Sequence, residues 1–162
     1  LDVKVILQDI KKLDTEALIV GFNQDVRPLK NLAGALDWLL CGSLSDLIMN
    51  NKMNGSLGEV ALLASRGKVP ATKIFMVGLG PKGDISPSSL RNAARIAASS
   101  AVSAGVTSIV VEYFYSPDVP YEAVVSALEE GFSKGAGGIP LSVSLLAPDA
   151  AAYERISRLV KA

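Results

Sequence analysis

The run Glu16 to Phe22, EALIVGF, is nearly all apolar. A strand with one wet face alternates apolar and polar residues. A short, almost unbroken apolar run fits a strand covered on both faces, as in a parallel sheet between helices. The rest of the chain reads consistently with such a sheet. Asp2 to Leu7 alternates, with Val3, Val5 and Leu7 on one face. Leu32 to Met49 carries leucines at 32, 36, 39, 40, 44 and 47, a helical spacing, with Gly42 and Ser43 as the place for a kink or a split. Strands are predicted at Glu59 to Ala64 and Lys73 to Leu79. Ser86 followed by Pro87 is a capping hydroxyl before a first-turn proline, so a helix starts there, runs to about Ala104 and stops at Gly105. Its alanines at 93, 94, 97, 98 and 101 form a smooth face that can lie close to a neighbour. Thr107 to Phe114 reads as a strand. Asp118 and Pro120 open a helix that ends in the cluster Gly135, Gly137 and Gly138. Leu141 to Leu146 is a further strand. Pro148 and Asp149 open a last helix, with Tyr153, Ile156, Leu159 and Val160 on its inner face. The order β-β-α-β-β-α-β-α-β-α predicts a three-layer α/β/α fold with a mixed, mostly parallel central sheet.

A chain of 162 residues suits one domain, expected over 1–162, and can bury roughly 70% of its unfolded surface. No apolar run approaches the roughly 20 residues of a spanning helix. Lys4, Asp9, Lys11 and Lys12 break the first apolar run, which is no signal-peptide pattern, so a cytoplasmic protein without membrane attachment is expected. Lysine plus arginine equals aspartate plus glutamate at 16 each, and nucleic-acid binders usually carry a basic excess, so no nucleic-acid partner is expected. Histidine is absent, which removes Ser-His-Asp and Cys-His catalysis and every histidine-based metal site. Cys41 is the only cysteine, so an internal disulfide is excluded and a reducing compartment fits.

Local candidates are few. The string GLGPKG at 78–83 has the form G-x-G-x-x-G after a strand. A dinucleotide site needs the helix to begin within that motif, whereas the helix signal lies later and Pro81 removes an N–H; a glycine turn leaving a strand is the expectation. Lys82 with Asp84, and Asp14 with Glu16, read as solvated turn residues. Cys41, after a run of leucines, is expected to be a buried thiol, and Trp38 a half-buried packing residue. Ser99 and Ser100 sit mid-helix with no base in reach. The triplet Tyr113, Phe114 and Tyr115 ends a strand, where side chains can line a cleft or an interface.

Two family patterns fit these elements. QDIKKLDTEALIVGFNQDVRPLKNLAGALD resembles the opening of macro domains, the ADP-ribose-binding fold: Asp9 and Ile10 match its Asp-Ile, and Glu16 to Asn23 its second strand. The closing SVSLLAPDAAAYERISRLVKA is similar to that family's last strand and helix. A nearer resemblance is to the amino-terminal domain of leucyl aminopeptidases, the cytosol aminopeptidase family, itself macro-like. It rests on MNGSLGEVALLA, TKIFMVGLGPKG and SPSSLRNAARIAA, and Gly55 to Ala94 is its most specific stretch.

The resemblance to the aminopeptidases implies a non-catalytic accessory or assembly domain. In that family, peptidase chemistry lies in a separate carboxy-terminal domain with two metal ions held by Asp, Glu and Lys, in motifs such as NTDAEGR. None of these occurs here, so no catalytic residue or metal ligand is carried over, and two divalent ions are implied only if such a domain follows. The family's amino-terminal domain helps to assemble hexamers and in some members contacts DNA, so the expected partner is a second copy of the chain or a catalytic aminopeptidase domain. The macro resemblance implies ADP-ribose or nucleotide binding, with Asp9 at the adenine and Asn23 as the remnant of an asparagine-rich motif. Both phosphate loops depart from that pattern. The first reads Val26-Arg27-Pro28-Leu29-Lys30 and the second Tyr115-Ser116-Pro117-Asp118, and neither has the glycines that let backbone N–H groups cradle phosphate.

Overall fold

A computed structural model describes residues 1–160; the expected boundary at 162 lies outside them. In chain order the elements are β1 (Asp2–Ile6), β2 (Ala17–Phe22), α1 (Asn31–Leu39), α2 (Ser43–Met49), β3 (Val60–Ala64), β4 (Lys73–Gly78), α3 (Pro87–Ser103), β5 (Ser108–Glu112), α4 (Tyr121–Ala136), β6 (Ser142–Leu146) and α5 (Ala150–Leu159). The strands form one sheet in the order β1-β6-β5-β2-β4-β3. All neighbours run parallel except the edge strand β3, which is antiparallel to β4. The predicted mixed, mostly parallel three-layer arrangement is what forms.

β2 is buried along its whole length. Its alternate residues feed two cores. Ala17 and Ile19 join the face under α3, α4 and α5, whereas Leu18, Val20 and Phe22 join the face under α1 and α2. That double burial is what its unbroken apolar sequence requires. In β1, Val3 and Val5 pack against the first of these cores. Leu7 lies beyond the strand and is exposed, because the chain leaves the sheet after Ile6.

The predicted helix of Leu32 to Met49 is split. Cys41 and Gly42 both take left-handed φ values, 57° and 82°, and the two halves meet at 107°. Glycine adopts that conformation freely. The second half is held by Asp37, whose carboxylate accepts the N–H groups of Leu44 and Ser45 at 2.9 and 3.1 Å and so caps α2 from α1. Two expectations are corrected in this pair of helices. Cys41 lies at the corner and is exposed, and Trp38 is 84% exposed, so neither packs inward.

α3 starts as predicted: Ser86 accepts from Ser89 N–H, Ser89 reciprocates, and Pro87 opens the first turn. Asp149 caps α5 by accepting the Ala152 N–H at 2.8 Å. In α5, Ile156 is fully buried and Leu159 packs on the core, but Tyr153 is exposed; Ala152 takes the inward position instead. α4 runs through Gly135 and ends at Gly137, whose φ is 60°. Gly135 is no stop signal, because it faces α3: a Cβ there would meet the Arg95 carbonyl oxygen and, at 2.9 Å, the Ala98 methyl. Gly131 stands in the same relation to the Arg91 carbonyl oxygen and the Ala94 methyl. The alanine face of α3 and these two glycines bring the helix backbones together.

Candidate cleft at the carboxyl ends of the strands

β2 is followed in the sheet by β4 on one side, and β5 by β6 on the other, so the direction of winding reverses between β2 and β5. Crevices at such reversals, outside the carboxyl ends of the strands, are the usual ligand sites of open α/β sheets. A cleft of about 910 Å³ opens there. The β2–β5 ladder ends at the pair Ile19 and Val111, and the strands part beyond it. Glu112 fills the gap. Its Oε1 accepts the Gly21 N–H at 3.0 Å, and the Leu32 N–H in the first turn of α1 lies where it favours the charged carboxylate. Burial pushes the Glu112 pKa up to about 7, against the downward pull of these two N–H groups.

The walls mix apolar and aromatic side chains with polar ones. Phe114 crosses the strand end at Gly21, where a Cβ would come within 2.9 Å of its ring and within 2.8 Å of Leu79. The close approach therefore needs glycine. Tyr113 stacks on Tyr121 with centroids 5.6 Å apart, and the Arg155 guanidinium lies 4.6 Å from the centre of the Tyr121 ring. Burial raises the Tyr113 pKa, so its phenol stays neutral. Of the aromatic triplet, Tyr113 and Phe114 are buried, Tyr115 is exposed, and all three border the cleft.

Asp9 and Asn23 both border the cleft as well. Each already holds a backbone group: Asp9 accepts the Lys11 N–H at 2.9 Å, and the Asn23 amide donates to the Gly80 carbonyl at 3.2 Å. In the first loop, the exposed Arg27 guanidinium donates to the carbonyls of Asn23, Val26 and Asn54, at 2.8, 2.8 and 2.9 Å. In the second, Ser116 Oγ accepts the Asp118 N–H at 3.4 Å.

GLGPKG is a structural turn. A Cβ at Gly78 would strike the Ser56 carbonyl oxygen, and Gly80, at φ 78°, donates its N–H to the Gly55 carbonyl at 2.8 Å. The glycines let the 54–58 loop lie against the end of β4, and α3 begins only at Pro87. Glu59 organises the same loop by accepting the N–H groups of Asn54 and Gly55 at 2.8 and 3.0 Å. Much of this junction lies within Gly55 to Ala94, the most specific stretch of the family resemblance. Among the described residues no three His, Cys, Asp or Glu side chains are grouped to share an ion. Sequence reasoning missed Glu112. Its signal was an acid closing the β-rich run SIVVE, but only the strand order puts it at the reversal point.

Comparisons with known proteins match this geometry. The family described as the cytosol aminopeptidase family, N-terminal domain, matches residues 19–136. The probable cytosol aminopeptidase of Geobacter sulfurreducens is 32% identical over 120 residues, covering 74% of this chain and 24% of that protein. The chain thus spans about a quarter of the length of such a relative. Among solved structures, tomato leucine aminopeptidase superposes with a TM-score of 0.73 at 20% identity, over 96% of this chain and 34% of that one. A Trypanosoma brucei macrodomain in complex with ADP-ribose gives 0.75 at 18% identity, over 98% and 69%. At such identities the two structures establish the shared fold. The match of the family over most of the sheet and both α3 and α4 places the chain: it belongs to the cytosol aminopeptidase family, as that family's N-terminal domain.

Proposed function

We propose that the chain is a non-catalytic accessory domain that assembles with a second copy of itself or docks a catalytic aminopeptidase domain. The observation that carries this reading is on the α1–α2 pair. Trp38 is 84% exposed and Met49 78% exposed, the two most open large apolar side chains among the described residues. A tryptophan is seldom left so bare, and aromatic and methionine side chains are enriched where proteins associate. No single helix among the described residues is long and apolar enough to cross a membrane. Light scattering tests the reading. The expected result is a mass above the 16.9 kDa monomer, or a complex on mixing with the catalytic half of a cytosol aminopeptidase. Trp38→Ala with Met49→Ala is expected to weaken that association while leaving the melting temperature nearly unchanged. A strict monomer that binds no catalytic half overturns it.

A second reading, ADP-ribose or nucleotide binding, draws support from Asp9 and Asn23 bordering the cleft. The departures in both phosphate loops weigh against it, and so does a carboxylate on the floor.

A further inference from the structure

We propose that the cleft between the ends of β2 and β5 binds a small organic cation, a primary ammonium on an apolar or aromatic body, with Glu112 as its counter-ion. This does not rest on the assembly reading. The argument is the distribution of charge. The other charged residues that border the cleft are Asp9 after β1, Lys30 before α1, Lys82 after β4 and Asp149 before α5. All four are exposed at the mouth, and two positive charges there offset two negative ones. Glu112 is the one charged group among the lining residues that is not exposed, and no lysine or arginine side chain is paired with it among the described residues. The interior therefore presents one carboxylate, screened little by solvent.

That carboxylate also occupies the anion-attracting groups. The Gly21 N–H donates to Glu112, and the Leu32 N–H at the start of α1 also favours its charged form. A phosphate brought to the same place would face a negative charge and find the Gly21 N–H taken. An ammonium would meet a carboxylate already oriented by the Gly21 N–H, in a cleft also lined by the rings of Phe22, Phe114 and Tyr113. Aromatic faces attract cations, and the Arg155–Tyr121 contact is an instance on the outer wall. Behind that ring Glu122 pairs with Arg155 at 3.7 Å. The remaining titratable groups around the site are the phenols of Tyr113, Tyr115 and Tyr121.

Because burial raises the Glu112 pKa to about 7, an ammonium binds by displacing the carboxyl proton, and its affinity rises with pH through that value. An anion would show the opposite slope.

The test is a titration of the unmodified chain with three probes of one shape, 2-phenylethylamine, 2-phenylethanol and 3-phenylpropionate, and with ADP-ribose. Amide shifts of Gly21 and Leu32 locate the binding. The expected result at pH 8 is an amine bound about tenfold or more tighter than the alcohol, the size of a charge-assisted contact. The margin narrows at pH 6 and is lost in Glu112→Gln. If that variant does not fold, the pH series on the unmodified chain decides. Equal affinity for amine and alcohol, a margin that survives Glu112→Gln, tighter binding of phenylpropionate or ADP-ribose than of the amine, or no binding of any probe overturns the proposal. None of these outcomes bears on the masses measured for assembly, so the two proposals fail separately.

Discussion

Gly131→Leu is expected to destabilise the fold by on the order of 3 kcal/mol, the upper part of the usual range for overpacking. For a chain of this size that lowers the melting temperature by roughly 6–12 °C. The more telling variant is Gly131→Ala. In an isolated helix, alanine is better than glycine by about 1 kcal/mol. Here the added methyl would meet the Arg91 carbonyl oxygen and the Ala94 methyl of α3. A backbone oxygen cannot rotate away, so α3 and α4 must separate, and the contacts along the alanine face loosen together. The variant is therefore expected to be less stable, against the propensity. The ion pairs at the rim, Glu130 with Arg91 at 2.9 Å and with Lys134 at 3.3 Å, are partly exposed and add little. Denaturant melts of both variants check this; an unchanged or raised stability for Gly131→Ala contradicts the close approach.

The second large effect is a stability that falls as pH rises. The Glu112 carboxyl is raised from 4.5 to about 7 in the folded chain. Between those values the folded state holds a proton that the unfolded state has released. Its contribution to stability is complete below about pH 4.5 and is lost as pH rises through about 7. From pH 5 to pH 8 the loss is expected to be roughly 2–3 kcal/mol. The chain has no histidine, so no imidazole titrates in that window to mask the slope. Glu112→Gln keeps the shape and the acceptor for Gly21 N–H while removing the ionisation, and is expected to flatten the curve. A stability that stays level or rises in the unmodified chain, or a slope that persists in the glutamine variant, contradicts this.

Much of the fold is legible in the sequence because its signals are local. The unbroken run in β2, the Ser86–Pro87 start of α3 and the Asp149 cap of α5 each act within a few residues. The split of the α1–α2 stretch is legible at Gly42, but the exposure of Trp38 and Cys41 is not, since a tryptophan beside leucines and a cysteine after them both read as packed residues. Gly135 misled for a related reason. A glycine near the end of a helical pattern reads as a stop, and only the packing of α3 shows that it is a contact. For the cleft, the family resemblance points to Asp9 and Asn23, and both border it. Glu112 escaped because its meaning depends on strand order: a lone acid after Val110 and Val111 is unremarkable until β2 and β5 are known to part beside it.

We propose that this chain serves an aminopeptidase without itself performing the reaction. The most direct measurement is hydrolysis of leucine p-nitroanilide by the purified chain with added zinc or manganese. The expected rate equals that of the metal alone at every protein concentration. Release that grows in proportion to the chain, and is abolished by a chelator, would contradict the account.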